Sequence, residues 1–212
     1  LMVGQLGTEA LGAVGFAAIA VWFAMTFAWG ILRGQRPLVS QYLGAGERGL
    51  AFSFGVHAFA LAFFAGVLLL LLATPITNAF ALLSANTELS ATGQAIGTSY
   101  FRIRLQWLLP SLLTFAIAEY MRSVGKTRVP MAVDLLVHPL NVVLNYALIF
   151  GHWGLPKMGA DGAALGTGLT DVCGFLLILF LCKPKHKLPS ASFRLHWDRM
   201  REVVKVGITG GI

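Results

Sequence analysis

The chain has 212 residues, 57% of them hydrophobic and only 12% charged, with a formal net charge of +7. A soluble domain carries roughly 25% charged residues, so a water-facing globular surface is excluded. The apolar residues also arrive in blocks of about 20, the length that crosses roughly 30 Å of hydrocarbon at 1.5 Å per residue.

In chain order, hydropathy predicts membrane-spanning helices over residues 10–32, 50–73, 97–120, 131–150 and 162–182, with a sixth opening near Val203. Residues 1–6 carry neither a basic n-region nor a cleavable apolar core, so no signal peptide is expected and the start reads as truncated. The end reads the same way, because the apolar, Gly-rich segment from Val203 stops after about two turns. The expectation is a piece of a longer protein.

The third block is the least regular: Arg102 and Arg104 interrupt it and must reach an interface or face the bundle interior, and Pro110 is expected to kink it. Gly44-Ala45-Gly46, residues 125–130 and residues 151–162 read as loops. Residues 183–198 are basic and contain proline, and Trp197, Met200 and Val204 follow at helical spacing, which predicts a stretch on the membrane surface dividing two bundles. Cys173 and Cys182 lie nine residues apart, about 13 Å along one helix, too far for a disulfide, and read as small buried hydrophobes.

Basic residues set the orientation. Arg33, Arg36 and Arg48 surround the first connection, none falls between Thr74 and Ser99, and Arg122, Lys126 and Arg128 cluster in the third. Lys157 is alone in the fourth, and Lys183, Lys185, Lys187, Arg194, Arg199 and Arg201 crowd the fifth. Rich and poor loops alternate, which places residues 33–49, 121–130 and 183–202 in the cytoplasm and residues 1–9 outside. A chain that starts outside has most simply lost one preceding helix, leaving helices two to six over 1–182, a cytoplasmic link over 183–202 and the start of helix seven over 203–212. These loops account for the positive charge, so no nucleic-acid partner is implied.

Asp134, His138, Asn141 and Asn145 recur at spacings of four, three and four, which keeps them on one stripe about 60° wide. A central Asp costs on the order of 3 kcal/mol to insert, so the stripe must face protein or a water-filled cavity. Interhelical hydrogen bonding is the alternative for the two asparagines, and an interfacial role for Asp134. Asp171 sits about 13 Å into its helix, at the depth of Asn141. If isolated there it would be a protonatable cavity residue, and Thr167 and Gly174 share its face. Packing is the alternative.

Glu119 and Arg122 are spaced for a local ion pair, and Tyr100, Arg104, Trp107, Ser111 and Thr114 share a face that reads as packing. His57 reads as a satisfied core histidine, and Gly30 to Gly34 is a weak GxxxG match. The histidines lack metal-ligand spacing, no phosphate loop or nucleophile motif is present, and Asp134 and Asp171 differ in depth by roughly 10 Å, too much for an aspartyl dyad.

Four stretches together resemble the multidrug and toxic compound extrusion family in its bacterial NorM-like and DinF-like branches. They are Leu6-Gly7-Thr8-Glu9-Ala10-Leu11-Gly12-Ala13-Val14-Gly15, Val39-Ser40-Gln41-Tyr42-Leu43-Gly44-Ala45-Gly46, Met121-Arg122-Ser123-Val124-Gly125-Lys126-Thr127-Arg128-Val129-Pro130-Met131, and residues 141–151 with 156–167. The resemblance implies an all-α polytopic membrane protein, most of the first six-helix lobe of a twelve-helix parent. It also implies export of amphiphilic or cationic compounds across the inner membrane, by a monomer, in exchange for protons or sodium ions, with no cofactor.

The family's first-lobe cation site joins an acid on helix one to polar residues on helix five, and the matching positions here are Asn141 and Asn145. Asn145 stands where the DinF-like branch often has Asp, Asp171 where a neutral polar residue is common, and Thr167 keeps the family's Thr. Gln41, in the second stretch, joins the candidate set. The rival reading is a flippase for a lipid-linked or polysaccharide substrate from the same superfamily. That would be expected to line its cavity with several cations, and only Arg102 and Arg104 are available, both near an interface.

Overall fold

A computed structural model describes residues 2–182 and 195–209, and helices are the only regular elements among them. After a short turn at Val3–Leu6 come α1 (Thr8–Arg33), α2 (Gln35–Gly44), α3 (Arg48–Leu71), α4 (Ala73–Ser84) and α5 (Ala91–Gln106). They are followed by α6 (Leu108–Ser123), α7 (Arg128–Phe150), α8 (Gly159–Leu181) and α9 (Trp197–Thr209). Among the described residues four spans are long and apolar enough to cross a membrane: Thr8–Gly44, Arg48–Leu71, Arg128–Phe150 and Gly159–Leu181.

Three prolines explain the interrupted helices. Proline removes the hydrogen bond to the carbonyl four residues back and crowds it. Four residues before Pro37, Pro75 and Pro110 stand Arg33, Leu71 and Gln106, the last residues of α1, α3 and α5. The span expected over 97–120 is therefore two helices, α5 and α6, broken at Trp107. Pro110 acts as expected, but one turn upstream of itself. Helix α4 was not anticipated, because Thr74, Pro75, Thr77 and Asn78 dilute its apolar signal. Pro139 lies inside α7 without ending it. Gly46 and Gly125, in two of the expected loops, take φ of 82° and 77°, a conformation side chains resist.

Contacts group the chain into two units. The first comprises Leu1–Met25, Val67–Leu108 and Leu136–Cys173; the second comprises Thr26–Gly66, Leu109–Leu135 and Gly174–Ile212. In the first, Phe80 of α4 stacks on Phe101 of α5 with ring centroids 4.3 Å apart and meets Phe16 of α1 at 5.3 Å. Ser90 caps α5 by accepting the Gly93 N–H, and the Glu9 carboxylate accepts the same N–H at 3.1 Å, where the helix dipole favours an anion.

In the second unit, Leu38 and Val39 of α2, Ala51, Phe54 and Ala58 of α3 and Val203 of α9 form a buried cluster. Helix α9 reaches it through glycine: a Cβ on Gly34 would collide with the backbone of Val203 and Gly207, and one on Gly207 with Ile31 and Gly30. Of the GxxxG match only Gly34 must lack a side chain for this approach, since a Cβ on Gly30 would meet nothing within 4 Å. The buried stripe of α9 is Met200, Val203 and Gly207, while Trp197 is 76% exposed. The expected stripe of Trp197, Met200 and Val204 is displaced because the close approach is made at Gly207. Most of the predicted basic link, residues 183–194, lies outside the described residues.

His57 is fully buried. Its Nδ1–H donates to the Ser53 carbonyl at 2.6 Å and its Nε2 accepts the His196 N–H at 2.7 Å, so it is the satisfied core histidine expected.

Candidate functional site

The polar centre of the first unit rests on a close approach of α7 and α8. Gly162 and Gly166 lie four apart on α8, so both face the same side. A Cβ at Gly162 would meet the Leu148 carbonyl oxygen at 2.5 Å, and one at Gly166 would occupy the place of the Asn145 side-chain oxygen. With no side chains in the way, the asparagines of α7 reach the threonines of α8.

The result is a directed hydrogen-bond chain. Asn145 Nδ2 donates to Asn141 Oδ1 at 2.9 Å, and Asn141 Nδ2 lies 3.4 Å from Thr167 Oγ1 and 3.3 Å from Thr170 Oγ1. The two hydroxyls spend their protons on the Ala163 and Gly166 carbonyls, at 2.8 and 2.7 Å. Both hydroxyl protons are thus committed, while Asn145 Nδ2 makes one hydrogen bond among the described residues and keeps a second N–H. The Asn145 Oδ1 is buried and has no hydrogen-bond partner among the described residues. An uncompensated buried carbonyl oxygen is costly, and it is the type of group that binds a cation or a proton donor.

Asp171 is not isolated. Its Oδ2 lies 3.3 Å from Arg104 Nη1 of α5, and the Arg104 side chain is only 8% exposed. Arg104 thus takes the interior of the two positions open to it. Its partner comes from 67 residues away, so no local pattern announced the pair. Trp107, where α5 breaks, packs on Gly168 of α8, whose missing side chain makes room for the indole. Thr170 was missed, although it lies three residues beyond Thr167, and that spacing alone marked a second hydroxyl on the same face.

The predicted stripe of α7 divides. Asn141 and Asn145 are half-buried, whereas His138 is exposed with no side-chain partner among the described residues. Asp134 belongs to the second unit, where its side chain is 59% exposed and 3.9 Å from Arg122. Gln41, also in the second unit, is exposed and its side chain makes no hydrogen bond among the described residues.

That unit holds a different polar system. Glu119, with a side chain 4% exposed, lies between Arg122 of its own helix at 2.8 Å and Arg36 of α2 at 3.2 Å. The expected Glu119–Arg122 pair is present and extends into a chain, Arg36 to Glu119 to Arg122 to Asp134. Beside Arg36, Gln35 is fully buried and donates to the Ala116 carbonyl at 3.0 Å. Among the described residues no group of three or more His, Cys, Asp or Glu side chains is arranged to hold a metal, and Cys173 and Cys182 are free.

Comparison with known proteins agrees with this architecture. A relative in Bacillus cereus, described as a probable multidrug resistance protein NorM, is 29% identical over 91% of this chain and 43% of its own length. Two solved structures of a multidrug resistance MATE family transporter of the MOP superfamily share the fold at 22% identity, each over 99% of this chain. The outward-facing one has a TM-score of 0.85 over 46% of its length, and the inward-facing one 0.83 over 47%. The chain therefore spans about half the length of the relatives it matches. Proteins of this kind are secondary transporters rather than enzymes. The profile of the MatE family matches residues 1–147, and the chain belongs to that family.

Proposed function

We propose that the protein containing this chain exports amphiphilic or cationic compounds across the inner membrane in exchange for protons or sodium ions. In this reading residues 1–182 are helices two to six of the first lobe, 183–202 a cytoplasmic link and 203–212 the start of helix seven. The basic loops at 33–49, 121–130 and 183–202 face the cytoplasm. The transporter works as a monomer in the bilayer, without cofactor and without a nucleic-acid partner.

The observation that carries the proposal is the Asn145–Asn141–Thr167/Thr170 chain with its unused buried acceptor. The buried Asn145 Oδ1 is an acceptor without a partner among the described residues, and a cation or a proton donor is what such an oxygen takes. Asp171, balanced by Arg104, supplies a carboxylate in the same unit, and an arriving cation competes with the guanidinium for it. His138, Asp134 and Gln41 are proposed as peripheral contacts for substrate or ion, being exposed rather than part of the buried chain. Alternating access is supported by the similarity of this half to both the outward-facing and the inward-facing transporter, as expected of a lobe that rocks without refolding. The flippase alternative is weakened, because Arg104, one of its two candidate cations, is neutralised by Asp171.

Replacing Asn141 and Asn145 together by Leu in the full-length protein tests the proposal. Drug resistance conferred on cells should be lost at unchanged expression. Resistance equal to wild type would reduce the pair to interhelical hydrogen bonding.

A further inference from the structure

Helix α9 is fastened to α2 and α3 within the second unit at points that differ in chemistry. Met200, Val203 and Gly207 recur at spacings of three and four, so one face of α9 is buried, while Trp197, Arg201 and Lys205 are exposed. The polar fastening is at its start. A backbone N–H can only donate and a carbonyl can only accept, so the contacts of His57 fix a neutral ring with its proton on Nδ1. Nδ1 meets the Ser53 carbonyl at 2.6 Å, and Nε2 accepts the N–H of His196, one residue before α9 begins, at 2.7 Å. The two imidazoles stack with centroids 6.2 Å apart, and Arg199 Nη1 donates to Ser53 Oγ.

The middle of α9 is held by apolar contact, since Val203 is fully buried in the cluster that contains Leu38 and Val39 of α2 and Phe54 of α3. Its far end is held by backbone against backbone. Gly34 leaves room for Val203 and Gly207, and Gly207 leaves room for Gly30 and Ile31. His196 and Gly207 are eleven residues apart, about 16 Å along a helix, so the fastenings fix the direction of α9 as well as its position.

Lifting α9 away would uncover Val39 and Val203 and strand the Nε2 acceptor of His57, a residue with 0% exposure. A buried acceptor without a partner is a state that folded proteins avoid. Nothing in the contact resembles a loosely packed gate: its polar groups are paired and its apolar groups are buried.

We infer that α9 is a clasp that moves with α2 and α3 as one body, so that the two parts of the transporter that rock against each other divide after α9 rather than before it. The attachment stands on the contacts alone, whereas its persistence through a transport cycle rests on the alternating-access reading proposed above.

Two measurements on the full-length transporter test the clasp. In hydrogen exchange read by mass spectrometry, peptides covering His196 should exchange about tenfold faster in His57→Leu, which removes the acceptor, than in the wild type. His57→Gln, whose Oε1 can accept the same N–H, should keep most of the protection. Equal exchange in all three proteins would overturn the attachment. For persistence, Ser53→Cys with Arg199→Cys, in a background of Cys173→Ala and Cys182→Ala, is joined by a short bifunctional thiol reagent and assayed for drug flux in proteoliposomes. Flux should be the same before and after crosslinking. Val39→Cys with Val203→Cys, two members of the buried cluster, replaces that pair if it is inactive before crosslinking. Flux that stops on crosslinking and returns on reduction would overturn the clasp. A wild type that carries no drug would instead overturn the functional reading, and the attachment would still be decided by exchange.

Discussion

The two units solve the problem of polar groups in a membrane protein in opposite ways. In the second, Glu119 meets two arginines and Arg122 reaches Asp134, so formal charge is balanced and the partly exposed guanidiniums retain water, although Glu119 Oε2 and Gln35 Oε1 make no hydrogen bond among the described residues. In the first, one carboxylate meets one buried guanidinium at 3.3 Å, and a neutral chain of amides and hydroxyls ends in a buried oxygen without a partner. A balanced network is a strut. The neutral chain of the first unit, with its single carboxylate, is the system we propose for ion coupling.

The contrast breaks first at Arg104. Arg104→Gln leaves Asp171 facing the interior unpaired and should cost on the order of 3 kcal/mol, read as a lowered melting temperature of the purified transporter. Adding Asp171→Asn should recover most of that loss. A double variant as unstable as Arg104→Gln would show that the two side chains do not act as a pair.

A smaller effect is expected at Gly166. Alanine there displaces the Asn145 oxygen, an overpacking cost of about 2 kcal/mol, and transport should fall further than stability does. Retention of full efflux in a stable Gly166→Ala protein would mean that the position of Asn145 is immaterial. Smaller still is Glu119→Gln. The amide can still accept from Arg122 and both arginines can rehydrate, so about 1.5 kcal/mol should be lost, with ion dependence of transport unchanged. An altered ion dependence would move coupling into the second unit.

The sequence made the spans, the glycine loops and the Glu119–Arg122 pair legible, because each rests on composition or on spacing within one turn. The proline breaks are half visible: Pro110 interrupts an expected span and predicts a kink, whereas Pro37 and Pro75 break helices at the edges of apolar blocks, where hydropathy gives no sign of a break. What stayed hidden depends on contacts between distant segments. The Arg104–Asp171 pair is the clearest case, since each residue alone looks like an exposed or isolated charge. The α7 stripe shows the converse limit. Periodicity put four polar residues on one face, but only the tertiary approach of Gly162 and Gly166 decides that Asn141 and Asn145 meet α8 while His138 and Asp134 do not join them.

The claim that coupling belongs to the first unit is tested most directly by drug flux in proteoliposomes under imposed proton or sodium gradients. Arg104→Gln combined with Asp171→Asn keeps the pair neutral and hydrogen-bonded but removes the carboxylate for which a cation competes, and it is compared with Glu119→Gln. Flux in the double variant should no longer respond to either gradient, whereas Glu119→Gln should respond as wild type does. Gradient-driven flux persisting in the double variant would contradict the account.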